Sequence, residues 1–143
     1  MELHQNPPNC ACLNLRAAGR QLTKRYDKLL APSGLLSTQH SLLTYISSVE
    51  NCGAADIADF LTMDISTVTR NLRPLIAAGY ITVGATKGDR RRRPVRITPK
   101  GKRALAAARP LWIAAQDSVA KKLGKQRYAD LLDVLAELRE FEE

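Results

Sequence analysis

The most constraining feature of this sequence is a short amphipathic segment followed directly by a strand-like segment and a basic turn. Apolar residues recur at intervals of three and four over 66–78, which is typical of a helix with one buried face. Gly79 supplies the left-handed residue that commonly closes a helix. Alternating residues over 80–83 and 95–98 predict two strands joined by a turn over 84–93. The sequence therefore predicts a helix followed by a β-hairpin.

Positive charge is concentrated in and after that turn. The 143 residues contain 22 lysines and arginines against 14 aspartates and glutamates, a net charge of +8. Between Gly84 and Arg109, ten lysines and arginines face a single aspartate. A charge of this size indicates an anionic partner, which could be nucleic acid, a membrane surface or an acidic protein. Because the sequence contains no transmembrane run or signal segment, we expect a cytoplasmic protein without a membrane partner.

Helical spacing predicts further helices over about 9–30, 38–49, 55–61, 99–123 and 125–141. Hydroxyl and carboxylate side chains are expected to cap three of the helices: Ser37 or Thr38 for the second, Asp64 or Ser66 for the fourth, and Thr98 for the fifth. Val49 and Ile76 are expected to face the core. Pro74 predicts a bend or local unwinding of the fourth helix, because proline lacks the N–H of a helical hydrogen bond.

In this order, the elements predict a mainly α protein: a winged helix-turn-helix with a small β-hairpin wing. Its amphipathic N- and C-terminal helices are expected to be dimerisation helices, although packing within one chain is also possible. The expected segments are an arm and dimerisation helix over 1–34, a DNA-binding domain over 35–98, and dimerisation helices over 99–143. A helix with small polar side chains can enter a DNA major groove, and an arginine turn can hold phosphates and reach the minor groove. The candidate DNA-binding residues are Ser66, Thr67, Thr69, Arg70, Asn71, Arg73, Asp89, Arg90 and Arg91. For Arg73, a structural salt bridge is an equal alternative.

Six motifs stand in order within the predicted elements: Leu36-Ser-Thr-Gln39, Asp56-Ile-Ala-Asp-Phe-Leu61, Ser66-Thr-Val-Thr-Arg70, Leu75-Ile-Ala-Ala-Gly-Tyr-Ile81, Asp89-Arg-Arg91 and Ile97-Thr-Pro-Lys-Gly101. As a set they resemble the MarR family of bacterial transcription regulators. The resemblance implies a two-fold dimer with interleaved terminal helices that binds double-stranded DNA. It implies that the helix led by Ser66 reads the major groove. Arg91 would enter the minor groove, with Asp89 bracing it. A homodimer implies a pseudo-palindromic operator, and repression is favoured over activation.

The three cysteines are too few for a disulfide framework and indicate a reducing compartment. The segment 12–26 resembles the first helix of organic hydroperoxide resistance regulators, a thiol-sensing branch of the same family. That resemblance implies oxidation of Cys12 to a sulfenic acid hydrogen-bonded by tyrosines. Tyr26 matches one such tyrosine, and Arg16 occupies the position of the other. Arg16 could favour the thiolate, and Cys10 could resolve the sulfenic acid.

Other effectors and functions remain open at this stage. Cys10 and Cys12 could hold a soft ion such as arsenite, copper or zinc, with His4 as a third ligand, although two thiolates are an incomplete zinc site. A small organic ligand could bind between the dimerisation helices and the DNA-binding lobe, or Cys12 and Cys52 could be buried apolar residues without a sensing role. No metal or cofactor is assigned, and no catalytic motif is evident, so we do not expect an enzyme. A small thiol peroxidase using Cys12 is one alternative, and an architectural DNA-coating protein is another.

Overall fold

A computed structural model describes residues 2–141. The first residue of the predicted segment 1–34, Met1, and the last two of the predicted segment 99–143, Glu142 and Glu143, lie outside the described residues. The described chain contains six α-helices and two strands: α1 (Ala11–Leu30), α2 (Ser37–Ser48), α3 (Ala54–Leu61), α4 (Ile65–Ala77), β1 (Ile81–Val83), β2 (Val95–Ile97), α5 (Pro99–Leu123) and α6 (Lys125–Arg139). The strands are antiparallel, with Ile81 opposite Ile97 and Val83 opposite Val95. The predicted fold class, a mainly α winged helix-turn-helix with a hairpin wing, is confirmed.

The core lies where α2, α3, α4 and the hairpin meet the end of α1. Its fully buried side chains include Leu30, Leu43, Ile57, Val68, Leu75 and Ile81. Because Val68, Leu72 and Leu75 are all buried, one face of α4 is fixed inward and its polar face must turn outward. Two inward predictions were wrong. Val49 is 38% exposed because α2 has ended before it, and Ile76 is 44% exposed because it lines an open cleft under the wing.

Of the three predicted side-chain caps, one is confirmed and two were wrong. The Thr98 hydroxyl accepts the N–H of Gly101 at 3.0 Å, as predicted for α5. Neither Ser37 nor Thr38 caps α2: Leu36 is the N-cap, and Gln39 Oε1 accepts its N–H at 2.9 Å. Asp27 of α1 accepts the N–H of Ser37 at 2.7 Å, so a neighbouring helix supplies part of the cap. At α4, the N-cap is Asp64, but its side chain makes no capping hydrogen bond.

The proline inside α4 does not break it. The helix runs without interruption over Ile65–Ala77, so local unwinding near Arg70 was wrong, while the alternative of a bend there stays a prediction. Pro74 is exposed, and its missing N–H removes only the hydrogen bond to the carbonyl of Arg70. Gly79 closes the helix with a φ of 76°, as predicted.

The terminal helices leave apolar side chains uncovered in the single chain. Leu13, Leu15 and Leu22 of α1 are 58%, 40% and 39% exposed, and Leu132 and Val134 of α6 are 49% and 52% exposed. Helix α5 packs against both α1 and α6. Among residues 2–141, no helix is long and apolar enough to cross a bilayer.

One contact joins the end of α6 to the helix-turn-helix part of the same chain. Arg139 donates from Nη2 to the carbonyl oxygen of Phe60 at 2.5 Å, and its guanidinium lies 5.6 Å from the centre of the Phe60 ring. That ring stacks on Tyr45 of α2 with centroids 4.3 Å apart. The last residue of α6 is therefore tied to both α3 and α2.

Candidate nucleic-acid interface

The outward face of α4 carries the predicted base-contacting side chains. Ser66, Thr69, Arg70 and Arg73 are exposed, and Thr67 and Asn71 are half-buried. The Thr69 hydroxyl donates to the carbonyl of Ile65 at 2.9 Å, which leaves its oxygen free to accept a hydrogen bond. Arg70 donates from Nη2 to Thr67 Oγ1 at 3.3 Å. This face therefore offers the donors and acceptors that direct base readout requires.

The tip of the wing is a short 3-10 turn, Arg90–Arg92, here called the arginine turn. Asp89 precedes it and accepts the backbone N–H of Arg91 at 3.0 Å. The same carboxylate pairs with the Arg91 guanidinium, with 2.9 Å between Nη2 and Oδ2. Hydrogen bonds from Arg91 lower the pKa of Asp89, and the carboxylate raises the pKa of Arg91. The two exposed charges thus hold the guanidinium in one direction on the turn.

The base of the wing rests on the loop between α2 and α3. Three residues of this loop, Asn51, Cys52 and Gly53, are here called the wing seat. The carbonyl oxygen of Cys52 accepts a hydrogen bond from the N–H of Val95 at 2.8 Å. Oδ1 of Asn51 accepts a hydrogen bond from Nη2 of Arg96 at 3.0 Å. The sequence analysis did not find this seat. The signals it could have used are Gly53 at a helix start and an asparagine able to adopt the left-handed conformation.

A cleft of about 370 Å³ lies between α4 and the wing. Its floor is apolar and is formed by Leu72, Ile76, Val83 and Val95, among other residues. Thr69 and Arg73 of α4 line the same cleft as Arg90 and Arg91 of the wing. The predicted major-groove and minor-groove residues are therefore neighbours across a single opening.

The cysteines lie in two different environments. Cys10 and Cys12 are exposed, and Sγ of Cys10 accepts the N–H of Leu13 at 3.5 Å, which makes Cys10 the N-cap of α1. Cys52 is 1% exposed and donates from its thiol to the carbonyl of Val95 at 3.6 Å. Burial raises the pKa of the Cys52 thiol. The interpretation as a buried apolar residue therefore fits Cys52 and does not fit Cys12 in the single chain.

The predicted sensing residues are not all brought together within one chain. Arg16 stands one helical turn after Cys12 and is exposed. Tyr26 lies farther along α1, about 21 Å from Cys12 at about 1.5 Å of rise per residue. Its hydroxyl donates to Oε1 of Gln116 in α5, and burial raises its pKa. Within residues 2–141, no three histidine, cysteine or acidic side chains are grouped so that they could hold a metal ion.

A second cleft, of about 440 Å³, separates α2 from α5. His40 is buried there and stacks on Trp112, with ring centroids 5.7 Å apart and an interplanar angle of 19°. Lys102 and Arg109 contribute positive charge to the lining. Burial lowers the pKa of His40, so the imidazole is neutral at neutral pH.

Comparison with known proteins assigns the class and the family. The MarR family model matches residues 35–92. The crystal structure of the M. tuberculosis transcriptional regulator MosR is 35% identical, with a TM-score of 0.75, over 90% of this chain and 96% of that one. The same regulator in complex with DNA is 34% identical, with a TM-score of 0.73, over 92% and 99% of the two chains. The protein is a winged helix-turn-helix transcriptional regulator. It belongs to the MarR family, as the sequence motifs predicted.

Two more distant relatives extend the comparison. The HTH-type transcriptional regulator BilQ of Clostridioides difficile (strain CD3) is 26% identical over 106 residues, which are 74% of this chain and 72% of that protein. The transcriptional repressor CouR, solved bound to p-coumaroyl-CoA, is 24% identical, with a TM-score of 0.80, over 98% and 96% of the two chains. The likeness to CouR shows the shared fold.

Proposed function

We propose that the protein is a homodimeric, sequence-specific repressor that inserts α4 into the major groove and the arginine turn into the adjacent minor groove. The observation that carries this proposal is the shared cleft, which Thr69 and Arg73 line together with Arg90 and Arg91. The relative MosR, with 34% identity, has been solved in complex with DNA. We place the protein in the cytoplasm, with residues 35–98 as the DNA-binding domain.

The salt dependence of binding tests the electrostatic part of the proposal. If about six to ten phosphates are contacted, operator affinity falls about 10³- to 10⁵-fold between 50 and 200 mM salt. In competition with random DNA, a regulator prefers its operator by about 10³-fold or more. A flat salt response contradicts the proposed interface, and a preference near unity favours an architectural DNA-coating protein.

The dimer part of the proposal rests on the uncovered apolar side chains of α1 and α6. We propose that the segments 1–34 and 99–143 supply the dimer contacts, since Leu13 and Leu132 are about half exposed in the single chain. A symmetric pair of α4 helices would meet half-sites about one helical turn, or 34 Å, apart. Sedimentation equilibrium at micromolar concentration measures the assembly, and a monomer that binds the operator at full affinity contradicts the proposal.

For the effector, we propose oxidation of Cys12. Both N-terminal thiols are exposed at the start of α1, and Sγ of Cys10 accepts the N–H of Leu13, so both lie where a peroxide can reach them. The Cys12 thiolate attacks a peroxide oxygen, the O–O bond breaks, and the departing alkoxide takes a proton to become an alcohol. The Cys10 thiol then attacks the sulfenic sulfur, and water leaves as the disulfide forms. Residues two apart on a helix do not face each other, so this disulfide would unwind the first turn of α1.

Tyr26 enters this mechanism only through a second subunit. Because it lies about 21 Å along the helix from Cys12 of the same chain, a hydrogen bond between the two requires antiparallel contact between two α1 helices. We therefore propose that the two α1 helices of the dimer lie antiparallel, with Arg16 one helical turn from Cys12 in each chain.

Cumene hydroperoxide provides the test of Cys12. Operator affinity of the wild type is expected to fall on treatment, and the Cys12→Ser variant is expected to keep its affinity. Cys52→Ser serves as the control for a buried thiol and should respond like the wild type. If Cys12→Ser loses affinity as the wild type does, Cys12 is not the switch. Peroxide consumption should stop at one equivalent per subunit, whereas repeated turnover with a thiol reductant favours the peroxidase alternative.

A small organic effector is the second candidate, and the cleft between α2 and α5 favours it. An aromatic stack of His40 on Trp112 beside Lys102 and Arg109 suits a flat, anionic ligand. The relative CouR has been solved with p-coumaroyl-CoA. Because Trp112 is the only tryptophan of the chain, its fluorescence reports on this cleft. Saturable quenching by p-coumarate, absent in Arg109→Ala, supports the site, and linear quenching contradicts it.

A further inference from the structure

The contacts of the wing seat reach directly under the arginine turn. A Cβ built on Gly53 would lie 2.5 Å from the carbonyl oxygen of Arg91 and 3.1 Å from Cα of Arg92. Both atoms belong to the backbone, so neither can move away without moving the turn itself. We propose that the wing seat positions the arginine turn for the minor groove, and that Gly53 is the positioning residue because it has no side chain. The proposal rests on the DNA-binding function proposed above.

The conformation of Gly53 does not by itself require glycine. Its φ of −110° and ψ of 177° are extended backbone that any residue adopts. Gly53 is also the N-cap of α3, where serine, threonine or aspartate would stabilise the helix. Its own N–H is already accepted by Oδ2 of Asp56 at 2.7 Å. The close approach of the Arg91 backbone is thus the remaining reason for a residue without a Cβ.

The rest of the wing seat holds the hairpin from the same loop. Asn51 adopts the left-handed conformation, with a φ of 56°, and its side chain accepts a hydrogen bond from Arg96. Cys52 bonds Val95 through both its carbonyl and its thiol. Three consecutive residues therefore contact the wing at its base and under its tip. Because Asp89 and Arg91 are paired, a side chain added at Gly53 would displace the arginine turn together with Asp89.

A double-mutant cycle between Gly53 and Arg91 tests the proposal. Arg91→Ala is expected to weaken operator binding about 10-fold, the cost of one specific contact. Gly53→Ala is expected to weaken it by a similar factor through displacement of the turn. In the double variant, Gly53→Ala should add less than about 2-fold, because the contact it disturbs is already gone. Ser48→Ala, at an exposed residue that ends α2 and donates its hydroxyl to the carbonyl of Tyr45 in the same helix, is the control and should bind like the wild type.

Footprinting provides a readout that general destabilisation would not move. In Gly53→Ala, protection of the minor groove from hydroxyl radicals should be lost, and protection of major-groove guanine N7 from dimethyl sulfate should remain. Additive effects in the cycle, or an unchanged footprint, overturn the role of Gly53. If Arg91→Ala itself binds normally, the minor-groove part of the proposed function fails instead.

A second variant covers the case in which Gly53→Ala does not fold. Asn51→Gly keeps the left-handed backbone and removes only the acceptor for Arg96. It should also weaken binding in a way that is not additive with Arg91→Ala. Additivity here overturns the role of the seat.

Discussion

At the scale of single residues, the most informative pair is Asp89 and Arg91, because its geometry and its charge predict opposite effects. By charge alone, an aspartate near DNA repels phosphates, so its removal should strengthen binding. By geometry, the carboxylate holds the guanidinium with a 2.9 Å contact, so its removal should free the side chain. We expect geometry to dominate, because a mobile arginine must lose side-chain entropy when it enters a narrow groove.

The Asp89→Asn variant tests this expectation. Operator affinity should fall by about 3- to 10-fold although the net charge rises, because the Arg91 side chain is no longer held in one direction before it binds. Fluorescence anisotropy at fixed salt measures the change. Asp117→Asn, an exposed aspartate of α5, has the same change in charge and should not weaken binding. An affinity gain in Asp89→Asn would show that charge outweighs geometry.

His40 gives a pH-dependent prediction. Burial lowers its pKa in the folded state, so below the unfolded value of about 6.5 the unfolded chain binds more protons. The free energy of unfolding should therefore decrease as the pH falls through 6.5 and toward the folded pKa, by at most about 1.4 kcal/mol per pH unit. Urea unfolding from about pH 8 to pH 5 measures it. His40→Gln should flatten the dependence and His4→Gln should not, because His4 is exposed. Equal slopes in all three proteins would contradict the prediction.

At the scale of elements, α4 shows what sequence periodicity can and cannot decide. The spacing of Val68, Leu72 and Leu75 predicted both the helix and its buried face, because a repeat near 3.6 residues allows only one arrangement. The same periodicity placed Ile76 inside and failed, since whether a border residue is covered depends on the wing. The predicted cap of α2 was wrong for a related reason. Asp27 of α1 accepts the N–H of Ser37, and a local sequence pattern does not contain a contact with another helix. The wing seat was missed because it joins residues 51–53 to residues 91–96.

Two adjacent residues of α4 test this division between buried and exposed positions. Leu75 is 1% exposed, so Leu75→Ala should lower the free energy of unfolding by about 2–5 kcal/mol. Ile76→Ala should cost less than about 1 kcal/mol, because its side chain lies in the open cleft. Urea unfolding of the two variants makes the comparison. Equal losses would mean that Ile76 is covered in solution.

At the scale of the whole molecule, the proposed dimer requires that two DNA-binding parts be held at a fixed spacing. The exposed apolar residues of α1 and α6 indicate that these helices need a further surface. The sequence analysis predicted dimerisation helices over 1–34 and 99–143, but exposure in a single chain does not give the geometry of a dimer. The candidate site was therefore predictable within one lobe, where its residues are close in sequence. The proposed sensing residues are not brought together in this way, since Cys12 and Tyr26 of one chain lie about 21 Å apart along α1.

Leu132→Glu tests the dimer surface. Placing a charge on an apolar interface should produce monomers with nearly unchanged helicity, and operator affinity should fall by at least about 100-fold as the second half-site is lost. Val49→Glu makes the same change at an exposed apolar residue of the DNA-binding part and should leave the dimer intact. Sedimentation and circular dichroism are the measurements. A Leu132→Glu dimer would place the interface elsewhere.

The hydrogen bond from Arg139 to Phe60 has a consequence at the level of the gene. A stop codon at position 139 would spare every leucine of α6 and yet remove Arg139, and with it both contacts of this guanidinium with Phe60. The truncated protein should still form the proposed dimer. Its DNA-binding parts would be less firmly fixed relative to α6, so its affinity for the operator should be lower. If the proposed repressor function holds, strains carrying that allele should express the target genes constitutively while accumulating normal amounts of regulator.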